Sequence, residues 1–138
     1  MTIKKARIGM KIAVIIVGYK NPYDVAACIA GLSNMTVRPT QVVVCENGGQ
    51  GAATQLRSIS VKNGYWSLDI QIIAANNPGF AGGVNLGLAA TMWADCWWIL
   101  NPDTIPHPQS LEFLIDRMER GDCDAVGGVV RFENGSIQ

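Results

Sequence analysis

Two apolar patterns alternate along this chain: continuous apolar runs, and apolar residues that recur every three to four positions. Residues 11–17 form a continuous, mostly branched-aliphatic run, which is typical of a central parallel strand covered by helices on both faces. Downstream, Val25, Ile29 and Leu32 recur at helical spacing. This spacing predicts an amphipathic helix over residues 22–32.

The same alternation continues to the end of the chain and predicts five strands and four helices. The predicted strands span residues 11–17, 41–45, 68–74, 94–100 and 124–132. The predicted helices span residues 22–32, 52–59 and 81–92, with a fourth that begins at Pro108 and is stopped by Gly121. The order β-α-β-α-β-α-β-α-β predicts an α/β fold, a three-layer α/β/α domain with a mostly parallel sheet.

Composition excludes several classes of protein. With 49% hydrophobic and 16% charged residues and a formal net charge of zero, the chain is too apolar for disorder and lacks the basic balance of nucleic-acid binders. Lys4, Lys5 and Arg7 make residues 1–10 a predicted disordered or leader segment. The apolar run that follows is too short for a signal peptide or a membrane span.

The cysteines indicate a reducing compartment rather than a metal site or a disulfide framework. The four cysteines are widely separated and there is one histidine, so zinc-ligand spacing is absent. We therefore expect reduced cysteines in a cytoplasmic protein, with the inner face of a membrane as an alternative location.

Polar side chains follow three of the predicted strands at the point where each strand ends. Tyr19 follows the first strand, Glu46 and Asn47 the second, and Asn101-Pro102-Asp103 the fourth. Because the carboxyl ends of parallel strands share one edge of the sheet, where ligands bind in open α/β folds, we expect these side chains to form one site.

The Asn101-Pro102-Asp103 segment has two interpretations. All three residue types favour turns, so the first interpretation is a plain strand-to-helix turn. Alternatively, a single carboxylate at a strand end suits Mg²⁺, which keeps several waters and needs few protein ligands when it is shared with substrate phosphates.

A glycine-rich segment, residues 79–87, precedes the third predicted helix and contains Gly82, Gly83 and Asn85. Glycines at a helix start let a phosphate approach the backbone N–H groups. The spacing matches neither the dinucleotide fingerprint nor a nucleotide-triphosphatase loop, so an oxidoreductase is disfavoured. The structural alternative is that these glycines only permit close packing of helix on sheet.

The succession VIIVGYKN, VVVCENGG, NNPGFAGGVNLGL and WWILNPDTIPHP resembles, in order and spacing, family-2 glycosyltransferases of the GT-A fold. The resemblance covers residues 11–138 and is closest to rhamnosyltransferase-like members that have Asn-Pro-Asp in place of Asp-x-Asp. It implies a nucleotide-sugar (donor) binding domain that lacks the C-terminal acceptor-binding half. It also implies an inverting, metal-dependent sugar transfer of the kind used in polysaccharide biosynthesis.

The resemblance also implies roles for individual residues. Tyr19 would shape the pocket for the base, and Glu46, followed by Asn47, would accept a hydrogen bond from a pyrimidine N–H. Gly82, Gly83 and Asn85 would lie beside the nucleotide-sugar. Asn101 would bond the ribose or sugar, and Asp103 would hold Mg²⁺ or Mn²⁺ against the diphosphate.

The expected partners are a UDP- or dTDP-linked sugar and a carbohydrate or lipid-linked acceptor, with a homo-oligomer as a further expectation. No general base is identifiable, because the acids of the C-terminal third occupy helix faces or ends typical of solvated groups. These acids are Asp116, Glu119, Asp122, Asp124 and Glu133. A non-catalytic module that binds a nucleotide-sugar or a protein partner is therefore the alternative to an enzyme.

Overall fold

The computed structural model describes residues 9–63 and 67–138, without the side chains of residues 61 and 63. Most of the predicted leader segment lies outside these residues. Four strands and four helices alternate in the described chain. They are β1 (Ile12–Gly18), α1 (Pro22–Ser33), β2 (Gln41–Glu46), α2 (Gly49–Asn63), β3 (Ile70–Ala74), α3 (Gly79–Ala90), β4 (Cys96–Leu100) and α4 (Ser110–Met118).

The strands form one all-parallel sheet in the order β3-β2-β1-β4, which confirms the predicted α/β architecture. Every residue of β1 is buried, as its continuous apolar run predicted. The chain builds the sheet from β1 outward through β2 to β3, and then crosses back to place β4 on the other side of β1. The strand order therefore reverses between β1 and β4, a topological switch point at which open α/β sheets bind ligands.

Helices cover both faces of the sheet. The larger core lies on one face, where Val14 and Ile16 of β1 pack with Ile29 and Leu32 of α1, and Leu111 of α4 belongs to the same cluster. The opposite face carries a smaller cluster around Val17, Val43 and Cys45, against which Val84 of α3 packs. Hydrophobic side chains therefore pack against both faces of β1 and β2.

Two glycines allow α3 to lie directly on β1. A Cβ atom at Gly87 would lie 2.6 Å from Cγ2 of Ile15, and one at Gly83 would lie 2.7 Å from Cγ1 of Val17. Both distances are shorter than van der Waals contact allows, so only glycine fits there. At these positions the packing interpretation of the glycine-rich segment is correct.

The prediction of a fifth strand over residues 124–132 is wrong. No strand forms there, and the only regular pairing of this segment is an isolated antiparallel bridge between Arg131 and Ile137. Val129 and Phe132 are exposed. Strand propensity is largely a preference for packing against neighbouring strands and a covered face, and this segment has neither in the described chain.

The other predicted elements exist with shifted ends. The helix predicted over residues 52–59 runs from Gly49 to Asn63, and its first residue, Gly49, has φ 82°, which favours glycine. Among the described residues, no helix is long and apolar enough to cross a membrane.

Candidate functional site

The sheet register brings the predicted strand ends together. Gly18 at the end of β1 pairs with Glu46 at the end of β2, and Leu100 of β4 pairs with Ile16 on the other side of β1. Asn101, which follows Leu100, is therefore level with Val17, the next-to-last residue of β1. The residues predicted after β1, β2 and β4 share one edge that includes the switch point.

The Glu46 side chain occupies the centre of this edge. It is fully buried, and its Oε1 accepts hydrogen bonds from the backbone N–H of Lys20 at 2.9 Å and of Gly48 at 2.8 Å. The carboxylate thus ties the loop after β1 to the loop after β2. Its other oxygen, Oε2, is buried without a hydrogen-bond partner among the described residues.

Glycines on both sides make room for this carboxylate. A Cβ atom at Gly18 would lie 2.9 Å from Glu46 Oε2, and one at Gly48 would lie 2.6 Å from Oε1. A buried acceptor without a partner is costly in a folded protein. The unpartnered Oε2 therefore indicates a place where a donor group from a ligand can be received.

Asn47 joins the same edge to the start of α3. The side chain is buried, and its Nδ2 donates to the carbonyl of Gly79 at 2.9 Å. The Asn47 backbone N–H donates to the Gly18 carbonyl at 2.8 Å, and its carbonyl accepts from Asn77 N–H at 3.1 Å. Asn47 Oδ1 is a second buried oxygen without a partner in the described chain. It lies 3.3 Å from the place where a Cβ atom of Gly83 would be.

Gly82 and Asn85 occupy other faces of α3 than Gly83. A Cβ atom at Gly82 would meet Pro78 at 2.6 Å, so this glycine permits the tight helix entry. Asn85 is exposed. The helix starts without a side-chain cap, which leaves its first N–H groups unpaired by side chains. Gly83 therefore lies beside Asn47, whereas Asn85 lies on the exposed surface of the same helix.

Tyr19 and Lys20 follow β1 at exposed positions, in the loop that is bonded to Glu46. Tyr19 is 54% exposed, and its N–H is held by Asn21 Oδ1 at 3.0 Å. Lys20 is a non-glycine residue at φ 54°, and its Nζ lies 5.3 Å from the centre of the Tyr19 ring. Lys20 was not among the predicted site residues, because no sequence pattern predicts a lysine in the left-handed backbone conformation.

The Asn101-Pro102-Asp103 segment forms a turn, and its polar side chains are exposed to solvent. The Asn101 carbonyl accepts from Thr104 Oγ1 at 2.7 Å and from the Cys28 thiol at 3.8 Å. The side chains of Asn101 and Asp103 are exposed. Both interpretations of the segment are therefore compatible: the backbone closes a turn, and the turn leaves the Asp103 carboxylate available to a ligand.

The described residues contain no group of three or more His, Cys, Asp or Glu side chains that could hold a metal ion by themselves. A metal at Asp103 would depend on ligand oxygens for most of its coordination. Mg²⁺ accepts such an arrangement, since it is commonly held by one or two carboxylates together with substrate phosphates and water.

The acids of the C-terminal third lie at the surface, as expected. Asp116, Glu119, Asp122, Asp124 and Glu133 are all exposed. Asp122 forms an ion pair with Arg117. In the described chain none of these acids makes a hydrogen bond to a residue of the strand-end site, so the general base is not identified.

Cys28 and Cys45 are buried free thiols close to this edge. Burial raises the pKa of Cys28 from 9.0 to about 12, with a further contribution from the charge of Asp103 and an opposing one from Thr104. Burial likewise raises the pKa of Cys45 to about 11, against a hydrogen bond from the backbone at Gly87. The thiolate, which is the reactive form, is therefore disfavoured at neutral pH.

We expect both buried thiols to react slowly with a maleimide at pH 8 in the folded protein and rapidly after unfolding. Both thiols have a higher pKa in the folded state than in the unfolded chain. Their contribution to the free energy of unfolding is therefore complete below pH 9 and is lost as the pH rises towards about 12. Mass spectrometry of labelled peptides, with the partly exposed Cys96 and Cys123 as internal controls, measures the rates. Equal labelling rates of all four cysteines in folded protein would contradict the prediction that Cys28 and Cys45 are protected.

Comparisons with known structures and with family models give the fold and the family, respectively. The chain is similar to crystal structures of S. aureus TarS residues 1–349, with TM-score 0.60, 16% identity and 80% of this chain covered. Similar matches are the complexes of that protein with UDP-GlcNAc (TM-score 0.58, 16% identity) and with UDP (TM-score 0.59, 16% identity), each again covering 80% of this chain. The chain covers 32–33% of these structures, about a third of their length. No curated protein sequence matches it.

The family model described as glycosyl transferase family 2 matches residues 13–138, nearly the whole chain. The structural similarity supports the same conclusion at the level of the fold, and the predicted GT-A-like α/β/α architecture is thereby confirmed. The chain belongs to glycosyl transferase family 2.

Proposed function

We propose that this chain binds a pyrimidine-nucleotide sugar, linked to UDP or dTDP, and forms the donor-binding part of an inverting, metal-dependent glycosyltransferase. The observation that carries the proposal is the Glu46 carboxylate. It is fully buried at the strand-end edge, with one oxygen fixed by two backbone N–H groups and the other without a partner. A pyrimidine imide N–H is a donor of the kind that this oxygen lacks.

The surroundings of Glu46 also suit a nucleotide. Tyr19 offers a half-exposed aromatic ring one residue before Lys20, whose N–H donates to the carboxylate, and a flat base can stack on such a ring. On the other side, α3 begins without a side-chain cap, beside Gly83 and the buried Asn47. Unpaired N–H groups at a helix start favour a negatively charged ligand such as a diphosphate.

Asp103 suits the metal that this reaction class uses. The exposed carboxylate stands at the end of β4, beside the switch point, where Mg²⁺ or Mn²⁺ could be shared with the diphosphate. When bound, the cation neutralises the negative charge that develops on the leaving nucleoside diphosphate. The neighbouring Asn101 side chain, also exposed, is uncharged and serves as a hydrogen-bonding group for ribose or sugar.

In the proposed transfer, an acceptor hydroxyl forms a bond to the anomeric carbon while the bond from that carbon to the diphosphate oxygen breaks. The hydroxyl proton passes to a base that is not assigned in this chain. We propose a carbohydrate or lipid-linked acceptor and, from the Asn-Pro-Asp variant, a rhamnosyl-type donor. Exposed Trp97 and Ile99 on β4 leave apolar surface that supports association of copies.

Calorimetric titration of UDP-, dTDP- and GDP-sugars, with and without Mg²⁺, tests the proposal. We expect binding of the UDP or dTDP sugars that is strengthened by Mg²⁺, and weaker binding of the GDP sugars. Failure of every pyrimidine nucleotide to bind in the presence of Mg²⁺ would overturn the donor site.

A non-catalytic module is the second candidate, because no general base is identified among the described residues and none of the C-terminal acids hydrogen-bonds a residue of the strand-end site. Sugar release or transfer measured on the same samples separates the two. Binding without turnover supports the module, and turnover supports the enzyme.

A further inference from the structure

Lys20 has a conformation that needs an explanation. Its φ of 54° lies in the left-handed region, which non-glycine residues other than Asn and Asp rarely adopt. Such residues persist where surrounding contacts enforce the conformation, and they are concentrated at functional sites. Lys20 lies directly at the proposed donor site, one residue after Tyr19.

Three contacts fix this residue. Its N–H donates to the buried Glu46 Oε1 at 2.9 Å. Its stem passes over Gly48, where a Cβ atom would lie 2.7 Å from Lys20 Cγ. Its Nζ lies over the Tyr19 ring, 5.3 Å from the centre. The side chain therefore runs across Gly48 and over the Tyr19 ring, at an exposed position.

The ammonium has no carboxylate partner within the described chain, where the ion pair present is that of Arg117 and Asp122. A lysine carries three donors, and an aromatic face satisfies none of them as a hydrogen bond. A flat ligand stacked on the same face of Tyr19 would compete with the ammonium for the ring and would leave the ammonium at the ligand's edge. There the ammonium can donate to a carbonyl oxygen.

We propose that Lys20 is a specificity-determining residue that selects uracil or thymine over cytosine. Glu46 Oε2 is a buried acceptor without a partner among the described residues, and Lys20 Nζ, which lies over the Tyr19 ring, is a donor at the same sheet edge. Together they complement the N–H and C=O groups that stand side by side on the imide edge of uracil and thymine. Cytosine has an acceptor nitrogen and an amino group at these places, so acceptor would face acceptor and donor would face donor. The inference rests on the proposed donor site.

The variants Lys20→Met and Lys20→Asn test the role of the ammonium. Methionine keeps an apolar stem, and asparagine tolerates the left-handed backbone, so the pair separates charge from strain. We expect each variant to bind UDP about tenfold more weakly, the value of one hydrogen bond to a charged group, and to lose preference for UDP over CDP by a similar factor. Lys11→Met, at an exposed lysine before β1, is the matched control and should change neither quantity.

Titrations of uridine, UMP and UDP locate the contact. If Lys20 binds the base, the three ligands lose the same factor in Lys20→Met. A loss confined to UMP and UDP would place the ammonium on phosphate and overturn the inference, as would an unchanged ratio of UDP to CDP affinity. Absence of nucleotide binding by the unaltered protein would overturn the proposed function itself, and this inference with it. A circular-dichroism melt of each variant confirms that the comparison is made on folded protein.

Discussion

Replacing Asp103 by asparagine is expected to abolish the Mg²⁺-dependent part of UDP-sugar binding. The side chain is exposed at the end of β4, so the substitution should leave the melting temperature unchanged. A carboxylate that shares a cation with a diphosphate contributes several kcal/mol, and its loss is expected to weaken Mg²⁺-supported binding on the order of a hundredfold. Calorimetry at saturating and at zero Mg²⁺ measures the difference.

The size of this effect follows from the ligand set. The described residues offer no group of three or more metal-ligating side chains, so few protein ligands could compensate for the loss of Asp103. A site with two acids would retain part of its affinity after losing one. Asp116→Asn, at an exposed position on α4, is the control for a general change in charge. Equal Mg²⁺ dependence in Asp103→Asn and in the unaltered protein would show that the turn at Asn101 has no role in metal binding.

The sequence predicts the sheet well where burial alone decides the structure. Residues 12–17 of the first predicted strand are buried, as are the aliphatic residues of β2. Their pattern therefore predicts strands without knowledge of distant partners. The prediction fails over residues 124–132, since a strand there would depend on a neighbour that the pattern cannot reveal. Local propensity is a weak guide when the neighbouring strand is what determines the outcome.

The candidate site is predictable in its positions but not in its contacts. Parallel strand ends meet at one edge for any such sheet, which is why Tyr19, Glu46 and Asp103 could be grouped from sequence. The direction of the Glu46 carboxylate depends on space left by Gly18 and Gly48. These two glycines are thirty positions apart in the chain, and only the folded register brings both against one side chain.

Glu46 is the residue at which stability and recognition are expected to separate. Glu46→Ala removes the acceptor of two backbone N–H groups and leaves space in a fully buried position. Hydrogen bonds to charged groups contribute about 1.5–3 kcal/mol each, and they are not additive. We therefore expect the free energy of unfolding to fall by about 2–4 kcal/mol, measured by urea denaturation, with UDP binding lost as the loops after β1 and β2 separate.

Glu46→Gln is expected to keep most of that stability and still lose recognition. The amide oxygen can take the place of Oε1 and accept hydrogen bonds from the N–H groups of Lys20 and Gly48. The free energy of unfolding should therefore change by less than about 1 kcal/mol. The amide NH₂ then replaces Oε2, and a donor faces the pyrimidine N–H donor, which should weaken UDP binding about a hundredfold. Glu119→Gln, an exposed position after α4, controls for the loss of charge. If Glu46→Gln binds UDP as the unaltered protein does, Oε2 does not meet the base, and Glu46 serves only to join the two loops.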